Sequence, residues 1–445
     1  MKSRRDFVKK VGLGTMAMSV GASSIFTTKS YAKVIGANDR VRVALVGVRS
    51  RMKALADACG KLKNVEVAYS CDVDDNILAA HAKWCETTLG YIPKVEKDFR
   101  KLVEIKDIDA VIIATPEHWH APMAIWSMEA GKHVYVEKPC SHNAREGELL
   151  VKAQRKYKKV CQMGNQQRSA ATSILAIKEI GEGIIGEPFK AKAYYSSSRK
   201  SIGKGNRVAV PSHLDWELFQ GPAPREAYRD NIHPYNWHWF RTWGTGEIHN
   251  NGTHEIDVCR WALGVDYPTQ VVSFGSKSMY KDDDWQFVDT QDVTYKFDGG
   301  KYISWEGHSR NKHGYNPGRG ATIWGSKGSI RLDRNFYELY DLSGKRIKRI
   351  NEKEQSGTTD TVGGGGLTVQ HMRNFIQTIR GLDTLNSEIG NAAISTHLCH
   401  LGTIAQRLER PITVNPKTGK VPRKDKEANK LWGREYEPGW EPKVS

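Results

Sequence analysis

Lys138 stands immediately before Pro139 and just past the β-rich run His133-Val-Tyr-Val136. A lysine at a strand end, partly withdrawn from water, has a lowered pKa and can polarise a hydroxyl or shuttle its proton. A second cluster lies in Gly244-Thr-Gly-Glu-Ile-His249-Asn250-Asn251-Gly252-Thr253-His254-Glu255-Ile256-Asp257. His254 is of the residue type whose ordinary titration lies near neutrality, which makes it a candidate to exchange protons. Asn250 cannot titrate, so it positions or hydrogen-bonds a group without acting as a base. Lys138 and the polar residues of this cluster are thus groups that could do chemistry. The chemistry they support is removal of a hydroxyl proton with stabilisation of the resulting oxyanion. His249 and Asp257 are candidates to assist. Asp257 falls three residues after His254, on the same face of an expected helix, where it would orient the imidazole.

These residues need a scaffold that converges strand ends on one place. From residue 40 the chain alternates β and α: strand-like runs occur at 41–47, 65–72, 110–114, 133–136 and 160–163, with helical stretches between them. Ala110-Val-Ile-Ile-Ala114 is apolar throughout, as in a parallel sheet covered on both faces. The alternation predicts an α/β fold whose N-terminal Rossmann-type, doubly wound domain spans 38–165. Ligands in such folds bind at the carboxyl ends of the strands. After 165 the texture changes to strand-like runs at 188–196, 269–279, 290–297, 301–307, 320–324 and 329–332. Helices are expected near 170–181, 253–264, 369–380 and 388–407. This predicts an α+β domain over 166–410 with a large, mainly antiparallel open sheet, followed by an irregular arm over 411–445.

The first βα turn reads Gly47-Val48-Arg49-Ser50-Arg51-Met52, so only the first glycine of a Gly-x-Gly-x-x-Gly dinucleotide fingerprint is present. Asp72 ends the second strand, where an acid hydrogen-bonds the adenosine ribose and repels a 2′-phosphate. That favours NAD, while Arg49 leaves NADP open. The expected cofactor-binding residues are Gly47, Val48, Arg49, Asp72, Thr115, Pro116, His118, His120, Glu137, Lys138 and Asn165, most of them at or just past strand ends. The stretch Tyr235-Asn-Trp-His-Trp-Phe-Arg-Thr-Trp243 interleaves three tryptophans with polar groups and reads as a sugar-binding wall. Trp237, His238, Arg241, His249 and Asp257 are the expected substrate-binding residues. The histidines lack a short metal-ligand pair with an acid, so no metal is expected. Gly363–Gly366 reads as a loop, either a lid or a plain connection.

The segments Ala114-Thr-Pro-Glu-His-Trp-His120, Ala130-Gly-Lys-His133 and Glu137-Lys-Pro139, followed by the cluster around His254, resemble in order and spacing the Gfo/Idh/MocA family of sugar and polyol oxidoreductases. The resemblance implies NAD(P)-dependent oxidation of a hydroxyl on a sugar or glycoside. It also implies a homo-oligomer, a dimer or tetramer built through the open sheet. In that family an Asp-x-Gly-x-His pattern carries catalysis. Here His254 matches the histidine and Asn250 occupies the aspartate position, so the resemblance implies Lys138, His254 and Asn250 as the catalytic set, with the proton work shifted to Lys138 and His254.

Residues 1–32 read as a signal peptide: Ser3-Arg4-Arg5-Asp6-Phe7-Val8-Lys9, a short weakly apolar stretch, then Ser30-Tyr-Ala32. The pattern is of the twin-arginine type, which implies the twin-arginine export machinery, a periplasmic location and no stable membrane anchor. Six basic residues and one acid fall in this leader, which leaves +12 of the net +17 on the remainder. The basic residues carry no nucleic-acid motif, so no nucleic-acid partner is expected. Seven scattered cysteines without a Cys-x-x-Cys read as small buried hydrophobes. An exported enzyme has no free pool to recycle a released cofactor, so the cofactor is expected to be tightly held and internally recycled. Two further readings stay open. One is an NAD-dependent glycoside hydrolase working by transient oxidation, elimination and hydration. The other is a catalytically inactive sugar-binding protein, suggested by the incomplete glycine fingerprint and Asn250.

Overall fold

The computed structural model describes residues 40–312, 318–356 and 365–444. The expected leader, and Gly363 and Gly364 of the glycine run, lie outside the described residues. Six parallel strands form the first sheet: β1 (Val41–Val46), β2 (Val65–Cys71), β3 (Lys94–Val95), β4 (Ala110–Ile113), β5 (His133–Val136) and β6 (Cys161–Met163), in the order β3-β2-β1-β4-β5-β6. The order reverses between β1 and β4, and the crevice outside their carboxyl ends is the ligand position of such sheets. The two-residue β3 carries no pattern in the sequence.

Side chains on β1 alternate between two cores, as a period of two requires. Val43 and Leu45 pack with Met52 and Leu55 of α1 (Ser50–Gly60). Ala44 and Val46 face the opposite side, toward Ile125 of α4 (His120–Glu129) and Leu150 of α5 (Ala144–Tyr157); α2 (Asp75–Leu89) and α3 (Phe99–Glu104) complete the connections. Both cores also take residues from far along the chain: Met372 and Phe375 close the first, Ile389 and Ala392 the second. A cut at 165 therefore separates the strands of the first domain from part of its covering.

The second sheet has nine strands in the order β14-β13-β12-β11-β7-β10-β9-β8-β15. They are β7 (Pro188–Ser196), β8 (Gln270–Ser276), β9 (Thr290–Lys296), β10 (Tyr302–His308), β11 (Arg319–Gly325), β12 (Gly328–Leu332), β13 (Phe336–Tyr340), β14 (Arg346–Asn351) and β15 (Ile412–Thr413). Only β7 and β10 pair in parallel. One face carries Ala191, Val293, Ile303 and Ile323 against α6 (Ala171–Gly181), α7 (Thr253–Leu263) and α9 (Ile389–Leu408), while α8 (Gly366–Ile379) lies on the first domain. The other face presents half-exposed Tyr302 and Trp324, with the Lys190 ammonium 5.6 and 4.7 Å from their rings. β13, β14 and β15 have no counterpart in the sequence reading, because their residues mix charged and aromatic types without clean alternation.

The segment after 411 is more ordered than its composition suggests. It supplies β15, then returns to the first domain, where Trp440 sits 5.5 Å from Trp119 and Arg434 donates to the His118 carbonyl. All seven cysteines are free and buried. Among the described residues no helix is long and apolar enough to cross a membrane.

Candidate functional site

Gly47 ends β1 with φ of +80°, and its N–H donates to Cys71 O at 2.9 Å. A Cβ there would fall 2.7 Å from Ala114 O. Only glycine lets the chain turn between two neighbouring strand ends. The turn delivers the N-terminus of α1, which has no side-chain cap and no acid in its first turn. Its uncapped start, with Arg49 just before it and Arg51 in its first turn, suits an anion such as a pyrophosphate. Asp72 accepts from Val48 N at 2.8 Å and from Asp74 N at 3.2 Å. Burial pushes its carboxyl up to about 6, against the pull of those N–H donors.

Above these strand ends lies a cavity of about 690 Å³. The first domain lines it with Gly47, Arg49, Asp72, Thr115, Pro116, His120, Glu137 and Lys138. The second domain answers with Trp237, His238, Asn250 and His254. Thr115 Oγ1 is buried without a hydrogen-bond partner among the described residues, as a ligand-facing hydroxyl would be. The His120 ring lies 2.7 Å from Pro139 O and 2.9 Å from Thr115 O, bridging two strand-end loops.

Lys138 Nζ donates to Asn250 O at 2.8 Å and to Asn250 Oδ1 at 3.1 Å. Asn250 belongs to a π-helical turn, Ile248–Gly252, that runs into α7; such turns commonly mark functional sites. Burial lowers the Lys138 pKa; Glu137 and Glu117 oppose this, while Arg334 and Arg319 reinforce it. Burial also works against ionisation of Glu137, but Arg51 Nε at 2.8 Å and Lys138 override it and hold this carboxyl below its ordinary range. His254 is kept neutral by burial, with Arg334 and Lys138 adding to the effect.

Six expected residues do not line the cavity. Val48 takes part only through its N–H to Asp72. The His118 ring is turned into the core, where Nε2 lies 3.0 Å from Phe219 O. Asn165 is buried behind Gln166, which does reach the cavity and donates to Glu137. Arg241 lies against the Phe287 ring at 5.1 Å. His249 is buried with Nε2 2.8 Å from His400 Nδ1. Asp257 is bound bidentately by Arg168 at 2.7 and 2.8 Å, so it does not orient His254. The shared reason is that helix and strand period fixed the sequence position but not the direction of each side chain. The aromatic stretch divides likewise: Trp237 stacks on His238 at the cavity, whereas Trp239 stacks on Trp285 and Trp243 packs against Trp216 in the core.

The structure adds lining residues that sequence reasoning missed, among them Arg51, Glu117, Tyr195, Arg199, Arg319 and Arg334. Arg199 pairs with Glu247 and Arg319 with Glu255. Tyr195 and Arg319 are cross-strand partners on β7 and β11, a relation invisible without the register. Glu117 stood inside a recognised motif and carried no separate signal.

Two family models match the chain. One describes an oxidoreductase family with an NAD-binding Rossmann fold and covers residues 17–165; the other is the Gfo/Idh/MocA C-terminal domain and covers residues 175–331. The chain belongs to the Gfo/Idh/MocA family. Among curated relatives, a glycosyl hydrolase family 109 protein of Shewanella pealeana is 30% identical over 210 residues, 43% of this chain and 46% of the relative. The match thus spans somewhat under half of that relative. Among solved structures, a levoglucosan dehydrogenase in complex with NADH and levoglucosan superposes with a TM-score of 0.65 at 21% identity, over 84% of this chain and 99% of the other. The WlbA dehydrogenase of Chromobactrium violaceum, in complex with NADH and UDP-GlcNAcA, also gives 0.65 and 21%, over 85% and 97%. At these identities the structural likeness establishes the fold of this Gfo/Idh/MocA protein.

Proposed function

We propose that this Gfo/Idh/MocA protein oxidises a hydroxyl of a sugar or glycoside with NAD held at the strand ends. The observation that carries the reading is the Lys138–Asn250 contact at the cavity, opposite neutral His254. Asn250 offers two oxygen acceptors and no charge. A neutral lysine amine can serve both with its two N–H groups and keep its lone pair for a substrate hydroxyl. Lys138 is then the base, and Asn250 fixes its nitrogen. His254 lies within the same cavity as a hydrogen-bonding partner for the oxygen that loses its proton. Trp237, stacked on His238, gives an aromatic face for a sugar ring. NAD, when bound, supplies the hydride acceptor. Asp72 would hold its ribose and the uncapped start of α1 its pyrophosphate.

A segment of the second domain roofs the Asp72 end of the cavity. Asp75 N donates to His213 O and Asp215 N to Val73 O, each at 2.9 Å, while Phe219, His233 and Pro234 line the cavity beyond. This strap favours a cofactor that is retained between turnovers. Retention agrees with export through the twin-arginine machinery to the periplasm, which we include in the proposal. It also favours, as a second reading, redox-neutral hydrolysis of a glycoside, the class named for the Shewanella relative. The open sheet face with Tyr302, Trp324 and Lys190 is the proposed homo-oligomer contact.

The test is to purify the protein without added cofactor, denature it and analyse the supernatant by mass spectrometry. Near-stoichiometric NAD(H) supports the reading and distinguishes it from NADP(H). A protein that is empty and also fails to bind added dinucleotide removes the reading and leaves sugar binding alone. Release of nitrophenol from nitrophenyl glycosides without added NAD separates hydrolysis from net oxidation.

A further inference from the structure

We propose that Glu117 is a positioning residue for proton transfer, a buried carboxyl that sets how readily Lys138 gives up its proton. The inference rests on Lys138 as the proton carrier of the reaction proposed above.

Glu117 follows Pro116 beyond β4 and opens a single 3-10 turn, Glu117–Trp119. It is buried, yet it lines the same cavity as Lys138. Its placement is fixed from both domains, because Thr245 of the second domain donates its hydroxyl to Glu117 Oε2. Thr245 is itself held by a chain of neutral groups. Its carbonyl lies 3.0 Å from His249 Nδ1, His249 Nε2 lies 2.8 Å from His400 Nδ1, and His400 Nε2 lies 3.0 Å from Ser141 Oγ. A carbonyl oxygen only accepts, so His249 donates from Nδ1 and accepts at Nε2. His400 must then donate from Nδ1 and accept from Ser141 at Nε2. One direction of hydrogen bonding satisfies every member, with no imidazole charged. The groups behind Glu117 thus brace it without adding a cation.

Glu117 feels Lys138 as its cation and Glu247 as a like charge. Lys138 feels Glu117 and Glu137 as anions, and Arg319 and Arg334 as cations from the second sheet. The His120, His238 and His254 rings around Lys138 all have lowered pKa values, through burial first. Glu117 and Glu137 both stabilise the Lys138 ammonium, and Glu137 is itself engaged by Arg51. Burial pushes Glu117 up to about 7, so it changes charge near neutrality. When it is ionised, Lys138 is favoured as the ammonium that returns a proton to substrate. When it is protonated, Lys138 reaches the amine that accepts one. The proton lost by the substrate oxygen passes to the Lys138 nitrogen.

The test is carbamylation of Lys138 by cyanate across the neutral to alkaline range, followed by peptide mass mapping. Cyanate reacts with the amine and not the ammonium, so the pH midpoint reports the lysine directly. Glu117→Gln keeps an acceptor for Thr245 and removes the charge. The expected result is a midpoint lowered by about one to three pH units, with an unchanged melting temperature. A midpoint identical to that of the parent protein overturns the proposal, since a bracing role alone would not move it. Thr245→Val, which removes a donor favouring the ionised carboxyl, is expected to shift the midpoint in the same direction by less. It decides the matter if Glu117→Gln does not fold. A Lys138 that resists cyanate at every pH in all variants also overturns it. The labelling needs neither cofactor nor turnover, so failure of the oxidoreductase reading would show separately, as an absence of NAD.

Discussion

Lys138 Nζ lies 2.8 Å from the main-chain oxygen and 3.1 Å from the side-chain oxygen of the same residue, Asn250. The Asn250 amide nitrogen faces Glu247 Oε1 at 3.3 Å, and Arg199 pairs with that carboxylate. The asparagine therefore has one orientation: its oxygen serves the lysine and its nitrogen serves the glutamate. A residue that cannot titrate thus links the position of the lysine to that of the glutamate.

Replacing Lys138 by Met should keep the shape of the side chain and remove the proton carrier. Turnover on the sugar or glycoside substrate should fall by about 10²–10⁴-fold, with the bound-NAD content unchanged. Steady-state rates beside a cofactor assay check it. Unchanged turnover would remove the lysine from the chemistry.

Asn250→Asp restores an anion beside the ammonium. The new charge favours the protonated lysine, so its pKa rises, by about one to three units. Because the amine is the active form for oxidation, the rise of kcat/KM with pH should move to higher pH. At neutral pH the variant should be slower than the parent protein, and it should recover in alkali. The two pH profiles measure this, and coincident profiles would contradict it.

Asp72→Asn removes the charge at the end of β2 but keeps an acceptor for Val48 N–H. A hydrogen bond to a charged group contributes about 1.5–3 kcal/mol, so NAD affinity should weaken by about 10–100-fold. The preference for NAD over NADP should narrow as well, since the repulsion of a 2′-phosphate is lost. Calorimetric titration of the cofactor-free protein with both dinucleotides reads both effects.

Stability should fall as the pH drops below the ordinary histidine range. Burial holds His118, His238 and His249 down at about 3, so they stay neutral in the fold. The unfolded chain protonates them below about 6.5, binds more protons than the native state, and gains by about 1.4 kcal/mol per histidine per pH unit. Glu117 and Asp72, pushed up to about 7 and about 6, work in the opposite direction. The histidines outnumber them, so the melting temperature should decline from neutral pH to pH about 5. A flat or rising curve there would show that these rings are not held neutral.

Much of the fold was legible because it rests on local chemistry. The apolar run at Ala110–Ile113 and the alternation along β1 specify covered parallel strands, and the positive φ of Gly47 follows from a turn that no Cβ fits. Strand ends of a doubly wound sheet converge by topology. The sequence alone could thus place Asp72, Thr115, Pro116, Glu137 and Lys138 in one crevice, and the family pattern added Asn250 and His254. The tertiary structure decided which way each side chain turned. Asp257 went to Arg168, His249 to His400 and Arg241 to Phe287, because each partner lies far away in the chain or on another layer. It also brought Thr245 onto Glu117 from 128 residues away. Sequence periodicity reports which residues share a face, but a buried polar side chain points wherever its hydrogen bonds are satisfied, and those partners are brought near only when distant segments of the chain pack together.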